Sequence, residues 1–172
     1  MDELRHAEIA ENLANVQARI RSASARAGRS PNEVTLIAVT KTWPVEDVVI
    51  LRDLGISDVG ENRDQEARPK AAAFAERDAQ SLRWHFIGQL QSNKAKSVAQ
   101  YASMVHTVDR QSLAIALAKS APGPLECLVQ LSVDGDTSRG GATAEDLLLL
   151  AAAMPAPLVP KRIMAVAPLH MT

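Results

Sequence analysis

Lys41 stands where an apolar run, Val34 to Thr40, gives way to Thr42-Trp43-Pro44. If that run is a strand of a parallel sheet, its carboxyl end is where functional groups collect. An amine there, partly desolvated between Val39 and Trp43, can attack a carbonyl and form a Schiff base. A lysine in a solvent-facing loop is the plainer reading, and position alone leaves both open. Gly60-Glu61-Asn62 ends the second apolar segment at the equivalent level. Its glycine admits close backbone approach and its asparagine can donate and accept; equally, this is a turn in which Asn62 caps a helix. In Trp84-His85-Phe86-Ile87-Gly88, alternation puts His85 and Ile87 on one face, Trp84 and Phe86 on the other. His85 then either meets a bound ring or is a satisfied core histidine. Gln89 to Lys94 is too polar for core and opens a helix.

Other candidates carry less. His106 reads as structural, and His6 and His170 lie near the termini. Cys127 reads as a small buried hydrophobe. Thr137-Ser138-Arg139-Gly140-Gly141 is a polar loop that could meet an anion or be an ordinary connection. No spacing resembles a metal site, a serine nucleophile motif or a phosphate-binding glycine loop.

These residues need a scaffold, and the composition describes it. The chain has 172 residues, 47% apolar and 23% charged, which reads as one globular domain over 1–172. Only 3% are aromatic, and alanine makes up much of the apolar share, so helices should pack closely on a Leu, Ile and Val core. A net charge of -1 gives no field to hold a polyanion, which argues against nucleic-acid binding. The single cysteine excludes an internal disulfide. Leu147 to Pro160, the longest apolar stretch, contains three prolines and is too short to span a bilayer. Asp2, Glu3, Arg5 and Glu8 do not suit a signal peptide, so a cytoplasmic protein without a membrane partner is expected.

The periodicity predicts a helix over 2–27, stopped by Gly28, and then βα units over 33–172. Strands are expected at Val34–Thr40, Ile56–Gly60, Leu82–Ile87, Met104–Val108, Leu125–Val133 and Val159–Ala165. Helices are expected at Val45–Leu54, Asn62–Ala79 and Ser92–Tyr101. A fourth runs to Lys119 with Thr107 or Asp109 as its cap, and a fifth spans Leu147–Ala153 behind Thr143 and Asp146. Two architectures compete: an open doubly wound sheet, weakened by the missing glycine-rich fingerprint, and a (β/α)8 barrel, for which six units are too few.

The segments Ala38-Val39-Thr40-Lys41-Thr42, Gly60-Glu61-Asn62 and Trp84 to Lys94 resemble the pyridoxal-phosphate homeostasis protein family. His106-Thr107-Val108-Asp109, Ser138-Arg139-Gly140 and Met164-Ala165 follow in the family's order, so the likeness runs from Val34 to Leu169. It implies a TIM-like (β/α)8 barrel of the alanine racemase N-terminal type, monomeric and without a second domain. It implies pyridoxal phosphate (PLP) held as a Schiff base on Lys41, with Asn62, His85, Ile87 and Met164 around the cofactor. It further implies a non-catalytic role in vitamin B6 homeostasis, with a small molecule as the only ligand.

The family's Ser-Met-Gly-Met-Ser and Arg-Ile-Gly motifs, which carry the phosphate-binding groups and the arginine facing the pyridine nitrogen, do not occur here; the chain ends at Pro168 to Thr172. A C-terminally truncated product is therefore expected, with an incomplete barrel, association through the first and sixth strands as free edges, and weak PLP retention. A PLP-dependent racemase or lyase is disfavoured because the sole tyrosine, Tyr101, falls at a helix end far from the strand tops. A fragment acting only as an interaction module, or not binding at all, is the third reading. If Lys41 points into a barrel, Ile37 and Val39 must point inward too, with Leu36, Ala38 and Thr40 toward the helices and His85 beside Ile87.

Overall fold

The alternation of short β-branched runs with alanine-rich amphipathic segments folds as a βα repeat. The computed structural model describes residues 3–77 and 82–167. Helix α1 (Glu3–Arg26) leads into β1 (Ala38–Val39), α2 (Val45–Asp53), β2 (Asp58–Glu61), α3 (Asp64–Arg77) and β3 (Arg83–Phe86). Then follow α4 (Ala95–Val98), β4 (Met104–Val108), α5 (Gln111–Ala118), β5 (Leu125–Leu131), α6 (Ala144–Ala152) and β6 (Leu158–Ala165). All six strands are parallel and lie side by side in chain order. A doubly wound sheet would reverse its order at a switch point. Sequential order instead builds the wall of a barrel, here incomplete, with β1 and β6 as its edges.

Helices cover one face of this wall. Behind β3 to β5, the side chains of Phe86, Val105, Cys127 and Val129 pack with Val98, Leu113, Leu117 and Leu147. Behind β2 and β3, Val59 and Trp84 pack with Val48, Ile56 and Phe74, the Phe74 and Trp84 rings meeting edge to face at 6.2 Å. Each fully buried leucine or valine contributes about 1.5–3 kcal/mol of transfer free energy. Among the described residues no helix is long and apolar enough to cross a membrane.

The departures from expectation have local causes. β1 is two residues long: among the described residues it pairs with β2 alone, at Val59 and Gly60. The expected helix at Ser92–Tyr101 opens as a 3-10 turn, Ser92–Lys94, and α4 occupies only its middle. Ser92 and Asn93 favour turns and helix ends over helix interior. Neither Thr107 nor Asp109 caps α5. Arg110 takes that position, because Thr107 Oγ1 donates to Gly88 O and the Asp109 carboxylate accepts from Arg110 Nη1 and Gly141 N. Thr143 does cap α6, its Oγ1 accepting from Asp146 N at 3.1 Å. The β6 edge carries exposed Pro160, Lys161 and Arg162, residue types that discourage edge pairing, beside an exposed Ile163. The start of the first helix at residue 2, the helix end expected at Ala79, His170 and the tail Pro168–Thr172 lie outside the described residues.

This core makes a graded prediction. Leu113→Ala should lower unfolding free energy by about 2–5 kcal/mol. Leu148→Ala, on the exposed side of α6, should change it by less than about 0.5 kcal/mol. Urea denaturation read by circular dichroism measures both.

Candidate functional site

The uncovered face of the wall is where chemistry can occur, and strand parity decides what reaches it. Gly60 of β2 lies on that face. A Cβ there would stand 3.3 Å from Ile37 Cγ2 and from Ile87 Cδ1, and 3.6 Å from Val39 Cγ2. Three aliphatic side chains thus close over the glycine as an apolar patch. Leu36 and Ala38 instead join the core behind the sheet, and Thr40 Oγ1 donates backward to Glu61 Oε1. Ile37 and Val39 therefore face inward, as the alternation requires. Lys41 follows in the turn beyond β1 and is exposed, so the desolvation expected from its neighbours does not occur. Trp43, half exposed, is turned to α1, where the Arg5 guanidinium lies 4.6 Å from its ring centroid. Among the described residues the Lys41 amine has no hydrogen-bond or ion-pair partner.

The tops of β2 and β3 are drawn together by backbone. A Cβ at Gly88 would fall 2.2 Å from the carbonyl oxygen of Asn62, so only glycine admits this approach. Ile87 N donates to Glu61 O at 2.8 Å. Asn62 is half-buried in the bend before α3 and does not cap that helix, which begins at Asp64. Met164 lies on β6, half-buried and paired with Gln130; β2 to β5 separate it from β1 in the sheet.

Beside the apolar patch, with His85 opposite Gly60 in the register, runs a buried polar chain that His85 and His106 share with Asp58. His85 Nε2 lies 2.7 Å from Asp58 Oδ1, and His85 Nδ1 lies 2.9 Å from His106 Nε2. Burial raises the Asp58 carboxyl, but hydrogen bonds from Ser57 and His85 and the nearby Arg83 outweigh it, leaving its pKa below the usual range. An ionised Asp58 only accepts, so His85 Nε2 donates to it, and one hydrogen bond joins His85 Nδ1 to His106 Nε2. Burial and the adjacent His85 push His106 down to about 4, so its ring is neutral at pH 7. Nearer the floor, Arg83 and Lys161 both pair with Glu126, and Arg83 also lies 3.7 Å from Asp58. Higher on β5, Gln130 is buried with its Oε1 unpartnered, and its Nε2 lies at the edge of Gly140 beside Asp109 and Gln89. Cys127 lies behind the sheet, its thiol pushed up to about 12 by burial, and is inert.

Residue-type reasoning missed Asp58 and Gln130. Asp58 precedes Gly60 by two residues, so parity alone could have put it on the inner face. Only the register Gly60↔His85 sets it within reach of His85.

The sequence profile of the alanine racemase N-terminal domain matches residues 12–166. The chain belongs to the alanine racemase N-terminal domain family. It is 44% identical over 149 residues to the pyridoxal phosphate homeostasis protein of Pseudomonas aeruginosa, covering 85% of this chain and 64% of that protein. Its fold matches an unknown protein from Bifidobacterium adolescentis with TM-score 0.88 at 28% identity, over 96% of this chain and 72% of the other. PipY of Synechococcus elongatus with PLP bound matches at TM-score 0.75 and 31% identity, over 95% of this chain and 73% of that one. The chain spans between 59% and 64% of the length of the curated homeostasis proteins it matches. The family resemblance and the barrel-type fold read from the motifs are both borne out.

In this member of the family the buried relay should make folding pH-dependent. An unfolded His106 binds a proton near pH 6.5 and the folded one only near 4. Its neutral burial therefore contributes fully above pH 6.5 and is lost as pH falls toward 4, by about 3 kcal/mol. Asp58, depressed in the folded state, loses its contribution in the same direction, at lower pH. Unfolding free energy measured by denaturant at pH 7, 6, 5 and 4 should fall steeply, and His106→Gln should flatten that slope above pH 4.

Proposed function

We propose that this chain forms the lysine-bearing wall of a barrel that holds PLP through Lys41 and serves vitamin B6 homeostasis without turning over a substrate. The observation that carries the reading is the setting of Lys41: an exposed, unpaired amine just past the carboxyl end of β1, beside the apolar patch of Ile37, Val39 and Ile87. An aliphatic patch suits the face of an aromatic ring, and an amine without a competing carboxylate suits an aldehyde. Gln130 Oε1, buried and unpartnered, is a further acceptor on the same face. Bound there, PLP supplies an aldehyde carbon that an amine attacks with loss of one water.

Asn62 and Ile87 would border the ring at the tops of β2 and β3. His85, its two nitrogens engaged by Asp58 and His106, would back the wall from below, and Met164 would close the far side. Curated relatives bearing the name pyridoxal phosphate homeostasis protein, and the similarity to PLP-bound PipY, support the assignment. Arg83 and Lys161 are engaged by Glu126, which leaves the phosphate dianion to other groups and makes weak retention by this chain the expectation. A non-catalytic role fits the position of Tyr101. It packs against the core clusters on the helical side, its phenol pushed up by burial, whereas proton transfer needs a group within hydrogen-bond reach of the substrate. A cytoplasmic monomer with one small-molecule ligand and no nucleic-acid partner completes the reading, in keeping with the net charge of -1.

PLP added to the chain should give an imine absorbance band, and borohydride should fix the label on the peptide containing Lys41. Lys41→Ala should reduce that label to background. Label spread evenly over the other lysines would remove the reading.

A further inference from the structure

Two arrangements that a fold has no need of flank Lys41. On its amino-terminal side is an ion pair buried between the sheet and α3. Glu61 is 1% exposed, and its Oε1 accepts from Lys70 Nζ at 2.6 Å and from Thr40 Oγ1 at 2.7 Å. Lys70 Nζ also donates to the carbonyl oxygen of Thr40 at 2.8 Å. That carbonyl begins the peptide leading into Lys41, and it accepts again from Trp43 N at 3.1 Å. Glu61 Oε2 is buried with no hydrogen-bond partner among the described residues. A buried ion pair with half its carboxylate unsatisfied is a poor source of stability compared with an apolar pair of the same size.

On the carboxyl-terminal side, Thr42 has φ +68°, a left-handed conformation that a β-branched residue adopts only under constraint. Its N–H donates to Glu66 Oε2 at 3.2 Å, and Arg63 Nη1 holds the other oxygen of Glu66 at 3.3 Å. Glu66 and Lys70 stand four residues apart on α3, one above the other on a single helix face. One helix thus grips the backbone both before and after Lys41.

We propose that Glu61, Lys70 and Glu66 are positioning residues that clamp the peptides on either side of Lys41 and so aim its amine toward the inner wall. The inference rests on the PLP reading for its purpose but not for its geometry. It accounts for both unfavourable features together: the ion pair and the strained threonine restrict the one turn whose direction matters, while the lysine side chain stays free of partners. Neither Glu61, Glu66 nor Lys70 touches the cofactor in this scheme.

The test compares the chain with its Lys70→Met, Lys70→Arg and Glu66→Gln variants in three measurements. These are the rate of imine formation at Lys41 with added PLP, amide hydrogen exchange at Thr42 and Trp43, and the thermal midpoint. Lys70→Met and Glu66→Gln should each slow imine formation about tenfold or more and speed exchange of those two amides by a similar factor. Lys70→Arg should restore both, and Glu66→Gln should leave the midpoint within about 4 °C. Folded variants with wild-type imine rates, or with unchanged exchange, overturn the clamp. If Lys70→Met does not fold, Glu66→Gln, on partly exposed surface, decides alone. If the wild-type chain forms no imine at Lys41, the PLP reading fails and exchange alone judges the clamp: acceleration confined to Thr42 and Trp43 keeps it, and no acceleration removes it.

Discussion

A parallel strand sends alternate side chains to opposite faces of its sheet, and among the described residues helices cover one of those faces. Apolar groups on the helical side can be buried simply by packing. On the other side, each polar group that is buried without a partner costs stability. Asp58, His85 and His106 avoid that cost through two hydrogen bonds, while the exposed Arg83 and Lys161 pair with the half-buried Glu126. The wall therefore carries ion pairs around Glu126, the buried chain of Asp58, His85 and His106, and an apolar patch over Gly60, with Lys41 in the turn beyond β1.

That arrangement gives each histidine a physical reason. His85 has the right parity to face a ligand, yet both its nitrogens are committed to Asp58 and His106. Its contribution is a ring held by two hydrogen bonds beside the patch. His106, neutral through burial, adds no charge to the wall. The glycines serve the same surface differently. Gly60 lets three aliphatic side chains meet across it, and Gly88 lets the backbone of β3 approach the Asn62 carbonyl.

Much of the fold was legible because its signals are local. β4 runs over Met104–Val108 as its apolar run foretold, Gly28 and Gly55 end helices with positive φ, and Thr143 caps α6. The errors fell where a neighbour overrides local preference. Val34 to Ile37 have strand composition but pair with no strand among the described residues, so the ladder holds Ala38 and Val39. Asp109 has the composition of a cap, yet its carboxylate is taken by Gly141 N and Arg110. A cap would accept from a backbone N–H two or three residues on, whereas Gly141 is thirty-two residues away in sequence.

The sequence by itself determined which residues could carry chemistry and which side of each strand they would occupy, since residue type and a period of two are properties of one segment. It determined the βα repeat and, through its motifs, the family. Only the tertiary structure decided the register that brings His85 between Asp58 and His106, and the docking of α3 that sets Glu66 and Lys70 against the turn around Lys41. It also decided that Lys41 is exposed. These depend on how strands stagger and helices seat against one another, and the free energy that selects a stagger is summed over contacts between segments far apart in the chain.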